Sequence, residues 1–122
     1  NTCWVAMTYS KIKTAFQVEK GEKLCIVIAL GYGETQGLPH KSKSMEEVIQ
    51  LDGPAPEWFQ KGVEAALLAP TAMNQQKFLF RLDKNRVSVK AGFGFYTKID
   101  MGIVKYHFEI GAGKEHFQWE LS

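Results

Sequence analysis

Chemistry in this sequence is concentrated in Pro70-Thr71-Ala72-Met73-Asn74-Gln75-Gln76, where a proline and a small hydroxyl residue lead into three consecutive amides. Asn74, Gln75 and Gln76 each carry a donor and an acceptor. Together they could read a flat heterocycle that presents both along one edge. A second chemical feature is the pair Lys41 and Lys43 around Ser42, a local supply of charge-assisted donors suited to a phosphate. Each feature also has a plainer reading. The first can be a capped turn, with Pro70 opening it and Thr71 or Asn74 as a local cap. The second can be two solvated lysines. Taken one at a time, the plainer readings win.

Other chemistries have little support. His40, His107 and His116 are the only histidines, and His107 and Glu109, two apart on a helix, point in different directions. With no H-x-x-x-H or Cys/His cluster, no metal site is expected. No G-x-S-x-G elbow occurs, and Cys25 lies in an apolar run where a thiolate is disfavoured. The glycines of Gly31-Tyr32-Gly33-Glu34-Thr35-Gln36-Gly37 have the wrong spacing for a dinucleotide fingerprint. No catalytic side chain is therefore expected, and if the protein is an enzyme a cofactor carries the chemistry.

Composition narrows the classes further. The 122 residues suit one domain with a single core, and 45% hydrophobic with 23% charged residues is ordinary globular content. The net charge of +2, from 15 basic and 13 acidic residues, makes no bulk electrostatic case for nucleic acid or an anionic membrane. No apolar run approaches the roughly 20 residues of a spanning helix. Cys3 and Cys25 form no CxxC pair and read as small buried hydrophobes of a reducing compartment, so a cytoplasmic location is expected. The chain opens at Asn1 without methionine, already inside an apolar run. An upstream portion is expected.

These residues must be positioned by a mixture of helices and strands. Residues 3–9 predict a short helix and Ser10–Val18 a second one, stopped near Gly21. Lys23–Leu30 is a continuous apolar, β-branched run, the pattern of a buried strand. Ser44 and Glu47 form a capping box for a short helix through Ile49. A helix over Glu57–Ala69 has Trp58, Phe59, Val63, Ala66 and Leu67 on its apolar side. Strands over Lys77–Leu82 and Arg86–Lys90 make a hairpin. A last helix over Ile99–Ile110 is expected to turn Ile99, Ile103, Tyr106 and Ile110 inward, with Val104 and Phe108 beside them and Gly111-Ala112-Gly113 stopping it. Phe117–Leu121 alternates like a terminal strand. The expected fold class is α/β of the α+β type, a mixed sheet of three or four strands with packed helices.

Three separated stretches and a later helix, in order, resemble one family. Thr2-Cys3-Trp4-Val5 resembles the G-T-C-W-V segment of nitroreductase-like flavoproteins. Ala29-Leu30-Gly31-Tyr32-Gly33, then Lys41 to Val48, is similar to their strand ending in L-G-Y-P followed by a basic pair and a P-L-E-E-V helix. Leu68 to Gln76 resembles A-P-S-A-x-N-x-Q-P-W, and Asp100 to Phe108 matches a D-x-G-x-x-x-x-H-F helix. The order is similar to that of the second half of Thermotoga-type nitroreductases, whose one chain contains two half-units. Two departures stand out: Gln76-Lys77 replaces Pro-Trp, and Gly33 replaces the proline of L-G-Y-P.

The resemblance implies that residues 1–122 are the carboxy-terminal portion of a nitroreductase-like domain with a partial FMN site. Lys41 and Lys43 would meet the FMN phosphate. Thr71, Asn74 and Gln75 would hydrogen-bond along the isoalloxazine or ribityl edge, with Pro70 shaping the wall. Backbone amides near Thr2 and Cys3 would approach the flavin. The implied activity is ping-pong hydride transfer from NAD(P)H through flavin to a nitroaromatic, quinone or similar electron-poor acceptor. The implied macromolecular partner is the missing N-terminal half or a second copy. Rival readings are a non-catalytic interaction or structural domain, and a flavin enzyme of the same fold that performs flavin fragmentation or dehalogenation.

Overall fold

The computed structural model describes residues 2–6, 19–22, 27–35 and 41–120, with the backbone alone for 2–6 and 27–30. The chain divides into two compact units, Asn1–Pro39 and His40–Ser122.

In the first unit, β1 (Thr2–Ala6) pairs antiparallel with β2 (Val27–Gly31), in a register running from Thr2↔Gly31 to Ala6↔Val27. The helix expected over 3–9 is thus a strand across its first four positions. An apolar stretch this short has no decisive period, and Thr, Trp and Val suit a pleated surface once a partner strand exists. Glu19–Glu22 is a turn closed by a 3.1 Å backbone bond from Glu22 N–H to the Glu19 carbonyl, with Gly21 at φ +98°. Residues 7–9, the helix expected over Ser10–Val18, residues 23–26 with Cys25, and His40 lie outside the described residues.

The second unit contains a four-stranded sheet in the order β3 (Ile49–Gln50), β4 (Phe78–Asp83), β5 (Arg86–Ala91), β6 (Gln118–Trp119). Its pairings are parallel, antiparallel and parallel in turn. Only β4 and β5 can be joined by a tight turn, and Lys84-Asn85 makes it. The parallel neighbours require crossovers. These are α1 (Glu57–Leu67) between β3 and β4, and α2 (Thr97–Ala112) between β5 and β6. The mixed sheet with packed helices is the fold class the sequence implied.

The capping box forms, with Ser44 N–H donating to Glu47 Oε2 at 2.8 Å. It closes only a one-turn 3-10 helix, Met45–Glu47. Val48 is buried and Ile49 has entered β3, because pairing with Phe80 recruits that residue into the sheet.

Phe59, Val63 and Ala66 of α1 pack with Val104, Phe108 and Ala112 of α2 over Phe78, Phe80 and Val87 of the sheet. The two helices approach closely at Gly62 and Gly111. A Cβ on Gly111 would lie 2.4 Å from the Lys61 carbonyl oxygen, and one on Gly62 would lie 2.6 Å from the Phe108 ring. Gly111 is therefore inside α2 rather than its stop. Gly113, at φ +77°, ends the helix.

The face of α2 departs in part from expectation: Val104 and Phe108 are buried as expected, but the stripe they belong to is not the one centred on Ile99, Tyr106 and Ile110. Asp100, Val104, Phe108 and Ala112 are buried. Ile99, Tyr106 and Ile110 are exposed, and Ile103 is half-buried. Apolar residues occur on both sides of this helix, so periodicity could not choose between two stripes offset by one residue. The fit of Phe108 between Phe59 and Phe80 decides it, with ring centroids at 5.6 and 4.8 Å.

Candidate functional site

The amide stretch leaves the C-terminus of α1 and turns into β4. Buried Ala69 fixes its entry, and Pro70 favours extended backbone in the residue before it. Thr71 is extended, at φ −119° and ψ 154°. A 3-10 turn over Ala72–Asn74 follows, closed by Asn74 N–H to the Thr71 carbonyl at 2.9 Å. Met73, Asn74 and Gln76 adopt φ of 53°, 51° and 44°, three of the five left-handed non-glycine residues among those described. Each such residue costs on the order of 1–2 kcal/mol. The strain is concentrated in one loop, so other interactions must hold that loop.

Those interactions are side-chain hydrogen bonds. Gln76 is only 1% exposed. Its Nε2 donates to the Leu67 carbonyl at 3.1 Å, its Oε1 accepts from Lys43 N–H at 2.8 Å, and its backbone N–H donates to Thr71 Oγ1 at 3.1 Å. Asn74 Nδ2 donates to the Lys41 carbonyl at 2.8 Å. Gln75 Nε2 donates to the Phe95 carbonyl and to Asp100 Oδ2, both at 2.7 Å. The other carboxylate oxygen, Asp100 Oδ1, accepts from Ala72 N–H at 2.9 Å. Thus α1, the lysine segment, the Phe95 loop and α2 meet at this turn.

Six of the eight site residues expected from sequence, Lys41, Lys43, Pro70, Thr71, Asn74 and Gln75, belong to this second unit. Five take part in its bonding, while Pro70 shapes the entry. Thr2 and Cys3 begin β1 of the first unit, opposite Gly31 and Leu30. Lys43 Nζ donates to the Gln76 carbonyl at 3.0 Å, which leaves two of its three N–H groups available. The exposed Lys41 ammonium makes no bond among the described residues. Also without a partner among the described residues are the Thr71 hydroxyl proton, Asn74 Oδ1 and Gln75 Oε1. Around them, Met73 is 93% exposed and Phe93 fully exposed. The site thus offers a cation, acceptors, a hydroxyl donor and apolar surface.

Gln76 and Asp100 are not among the site residues expected from sequence. Gln76 has a signal, as the last of three amides at a turn. Asp100 has one as the first residue of the D-x-G-x-x-x-x-H-F motif, but no local spacing links residues 75 and 100. Other concentrations of polar groups are less suited to a ligand. A cavity of about 530 Å³ near the outer sheet mixes Arg81, Lys90 and Lys105 with Asp52, Asp83 and Glu120, so it has no net charge preference. Arg81 there is already doubly bonded to Gln50 Oε1, at 2.9 and 2.6 Å. His107 and His116 each use Nδ1 on a carbonyl one turn back, at 3.0 and 2.8 Å. Among the described residues no group of three His, Cys, Asp or Glu could hold a metal ion, and no helix is long and apolar enough to cross a membrane.

Comparison with known proteins decides the family. A family model described as "Putative TM nitroreductase" matches residues 1–112. The chain belongs to this nitroreductase family. A solved member of like fold, a "putative nitroreductase" from Thermotoga maritima, superposes with a TM-score of 0.57 at 24% identity. The alignment covers 70% of this chain and 37% of that one, so the nitroreductase segment described here corresponds to well under half of that protein. No curated protein matches the chain.

Proposed function

We propose that this chain is the carboxy-terminal part of an FMN-dependent oxidoreductase that uses NAD(P)H to reduce a nitroaromatic, a quinone or a similar electron-poor acceptor. The observation that carries this reading is the tied amide loop beside Lys41 and Lys43, in a chain of the nitroreductase family. Its donor set fits FMN: a cation unbonded among the described residues for a phosphate, mixed amide and hydroxyl groups for a polar ring edge, and exposed apolar side chains for an aromatic face. When bound, FMN supplies the two-electron carrier that the protein's side chains lack. The Lys41 ammonium and the remaining Lys43 N–H groups neutralise the phosphate. The Thr71 hydroxyl donates, Asn74 Oδ1 and Gln75 Oε1 accept, and Pro70 limits the backbone to one path. Backbone amides near Thr2 and Cys3 are assigned to the flavin on the family resemblance alone.

A partner belongs to the same proposal. Ile99, Tyr106 and Ile110 form an exposed apolar stripe along α2, and such stripes mark interaction surfaces. Its occupant is another half-unit, either an upstream portion of the same gene product or a second copy. The alignment covers 37% of the solved relative, so FMN binding is expected to be weaker for the 122-residue chain alone than for the chain joined to a second half-unit.

Titration with FMN and with riboflavin, followed by flavin fluorescence, tests the assignment in both the chain and the longer gene product. Tighter binding by the longer product is expected, with K41A weakening FMN and leaving riboflavin unchanged. A longer product that binds no FMN would remove the flavin reading and leave an interaction domain organised around the α2 stripe.

A further inference from the structure

We infer that Asp100 is a positioning residue that fixes the polarity of Gln75, making this side chain an acceptor toward any ligand. As it concerns a ligand, the inference rests on the proposed flavin site; as it concerns Gln75, it stands on geometry alone. Asp100 is 8% exposed. It takes two donors from one loop, Ala72 N–H at 2.9 Å and Gln75 Nε2 at 2.7 Å. An ionised carboxylate only accepts, so Gln75 cannot turn its oxygen toward Asp100. The second Gln75 N–H is occupied by the Phe95 carbonyl at 2.7 Å. Both hydrogens of the amide are therefore committed, and Oε1 is the only polar atom of the side chain left. That oxygen borders Gly94, where a Cβ would come within 2.5 Å of it. A side chain at 94 would cover it.

The same contacts join two loops that chain proximity does not. Lys77 Nζ donates to the Phe93 carbonyl at 3.0 Å, Gly92 N–H to the Lys77 carbonyl at 2.9 Å, and Thr97 Oγ1 to the Gly94 carbonyl at 3.3 Å. With the Gln75–Phe95 bond, these fix the backbone that carries exposed Phe93. Asp100, placed in the first turn of α2, sets the position of the loop from the helix side. Among the described residues it meets the Ala72 and Gln75 donors and forms no ion pair. The ligand edge best matched to Gln75 carries an N–H donor, and reversing the amide would invert that preference.

The decisive variant is D100N. The substituted amide can still accept from Ala72 N–H, but its NH₂ then faces Gln75 Nε2, donor to donor, and Gln75 must flip. NMR of ¹⁵N-labelled chain is expected to show large shifts of the Gln75 side-chain NH₂ and faster exchange of its protons. The Phe95-loop amides should move with them, while the thermal transition stays cooperative. FMN affinity is expected to fall about tenfold, the scale of one lost charge-assisted bond. The preference for FMN over N3-methyl-FMN, which lacks the imide N–H, should vanish, and a purely structural role would not alter that ratio. Unmoved Gln75 resonances in D100N would overturn the inference. If D100N does not fold, Q75M decides: loss of the FMN over N3-methyl-FMN preference, with the Ala72 amide unshifted, supports it, and an unchanged ratio overturns it. Failure of the wild-type protein to bind any flavin would end the cofactor reading, while the resonances of Gln75 still decide its orientation.

Discussion

Two parts of the second unit are held by opposite means. The helix–sheet core is a cluster of rings, with Phe59, Phe80 and Phe108 fully buried and Phe108 stacked on Phe80 at 4.8 Å. The amide junction contains almost no apolar burial and is held by directional bonds to Gln75, Gln76 and Asp100. Burial is roughly proportional to area and indifferent to angle, so a core of this kind tolerates small shifts. A junction of donors and acceptors does not. Each group left unpaired there keeps its full desolvation cost. That difference suits the two tasks: the core supplies stability, and the junction supplies a single arrangement of polar atoms on strained backbone.

The sharpest way to break this contrast is to damage each part alone. F108A should cost about 3–5 kcal/mol, the scale for a large aromatic removed from a core, seen as a large fall in the denaturant midpoint. A loss below about 1 kcal/mol would mean that the rings are not the source of stability. Q76M, close in volume, leaves the Leu67 carbonyl and Lys43 N–H without these partners and should cost about 1–3 kcal/mol. Its signature is local: amides of Lys43 and the 71–76 loop lose exchange protection while those of Phe80 and Phe108 keep theirs. Equal loss of protection throughout the unit would erase the distinction between junction and core.

The smallest effect lies at a surface bond network on α2. Glu109 accepts from Lys114 Nζ at 2.7 Å and from the Trp119 indole N–H at 2.9 Å. Those two bonds, Lys114 first, hold its carboxyl below the ordinary glutamate range. A depressed folded-state pKa means that this stabilisation is present above the unfolded pKa and disappears as pH falls through the folded one. E109Q should therefore lose less than about 1 kcal/mol near neutral pH, since exposed Lys114 is screened. The gap between E109Q and wild type should close as pH drops below about 4.5, as thermal unfolding across that range would show. A gap that widens toward acid would contradict the bonding described.

How much of this is legible in the sequence depends on how local each cause is. The Ser44–Glu47 capping box, the Lys84-Asn85 hairpin and the apolar side of α1 follow from residues within a few positions of one another, and all three form. The strand at Thr2–Ala6 and the entry of Ile49 into β3 run against the sequence expectation because a partner strand decides them. The α2 stripe does so because two apolar faces compete, and only the packing of Phe108 against Phe59 and Phe80 selects one. In the site, the sequence marks Thr71, Asn74 and Gln75 as polar groups at a turn but not what each would bind.

By itself, then, the sequence determined the main helices and the hairpin of the second unit, the mixed-sheet class, the resemblance to nitroreductases and the place along the chain where polar chemistry collects. Those properties reside in local propensity, periodicity and motif order. Tertiary structure alone decided which side of α2 is buried, that Gln76 is an interior strut, and that Asp100 meets Gln75 across 25 residues. Hydrogen-bond partners so far apart in the chain are chosen by how helices and strands pack, and no spacing rule encodes that choice.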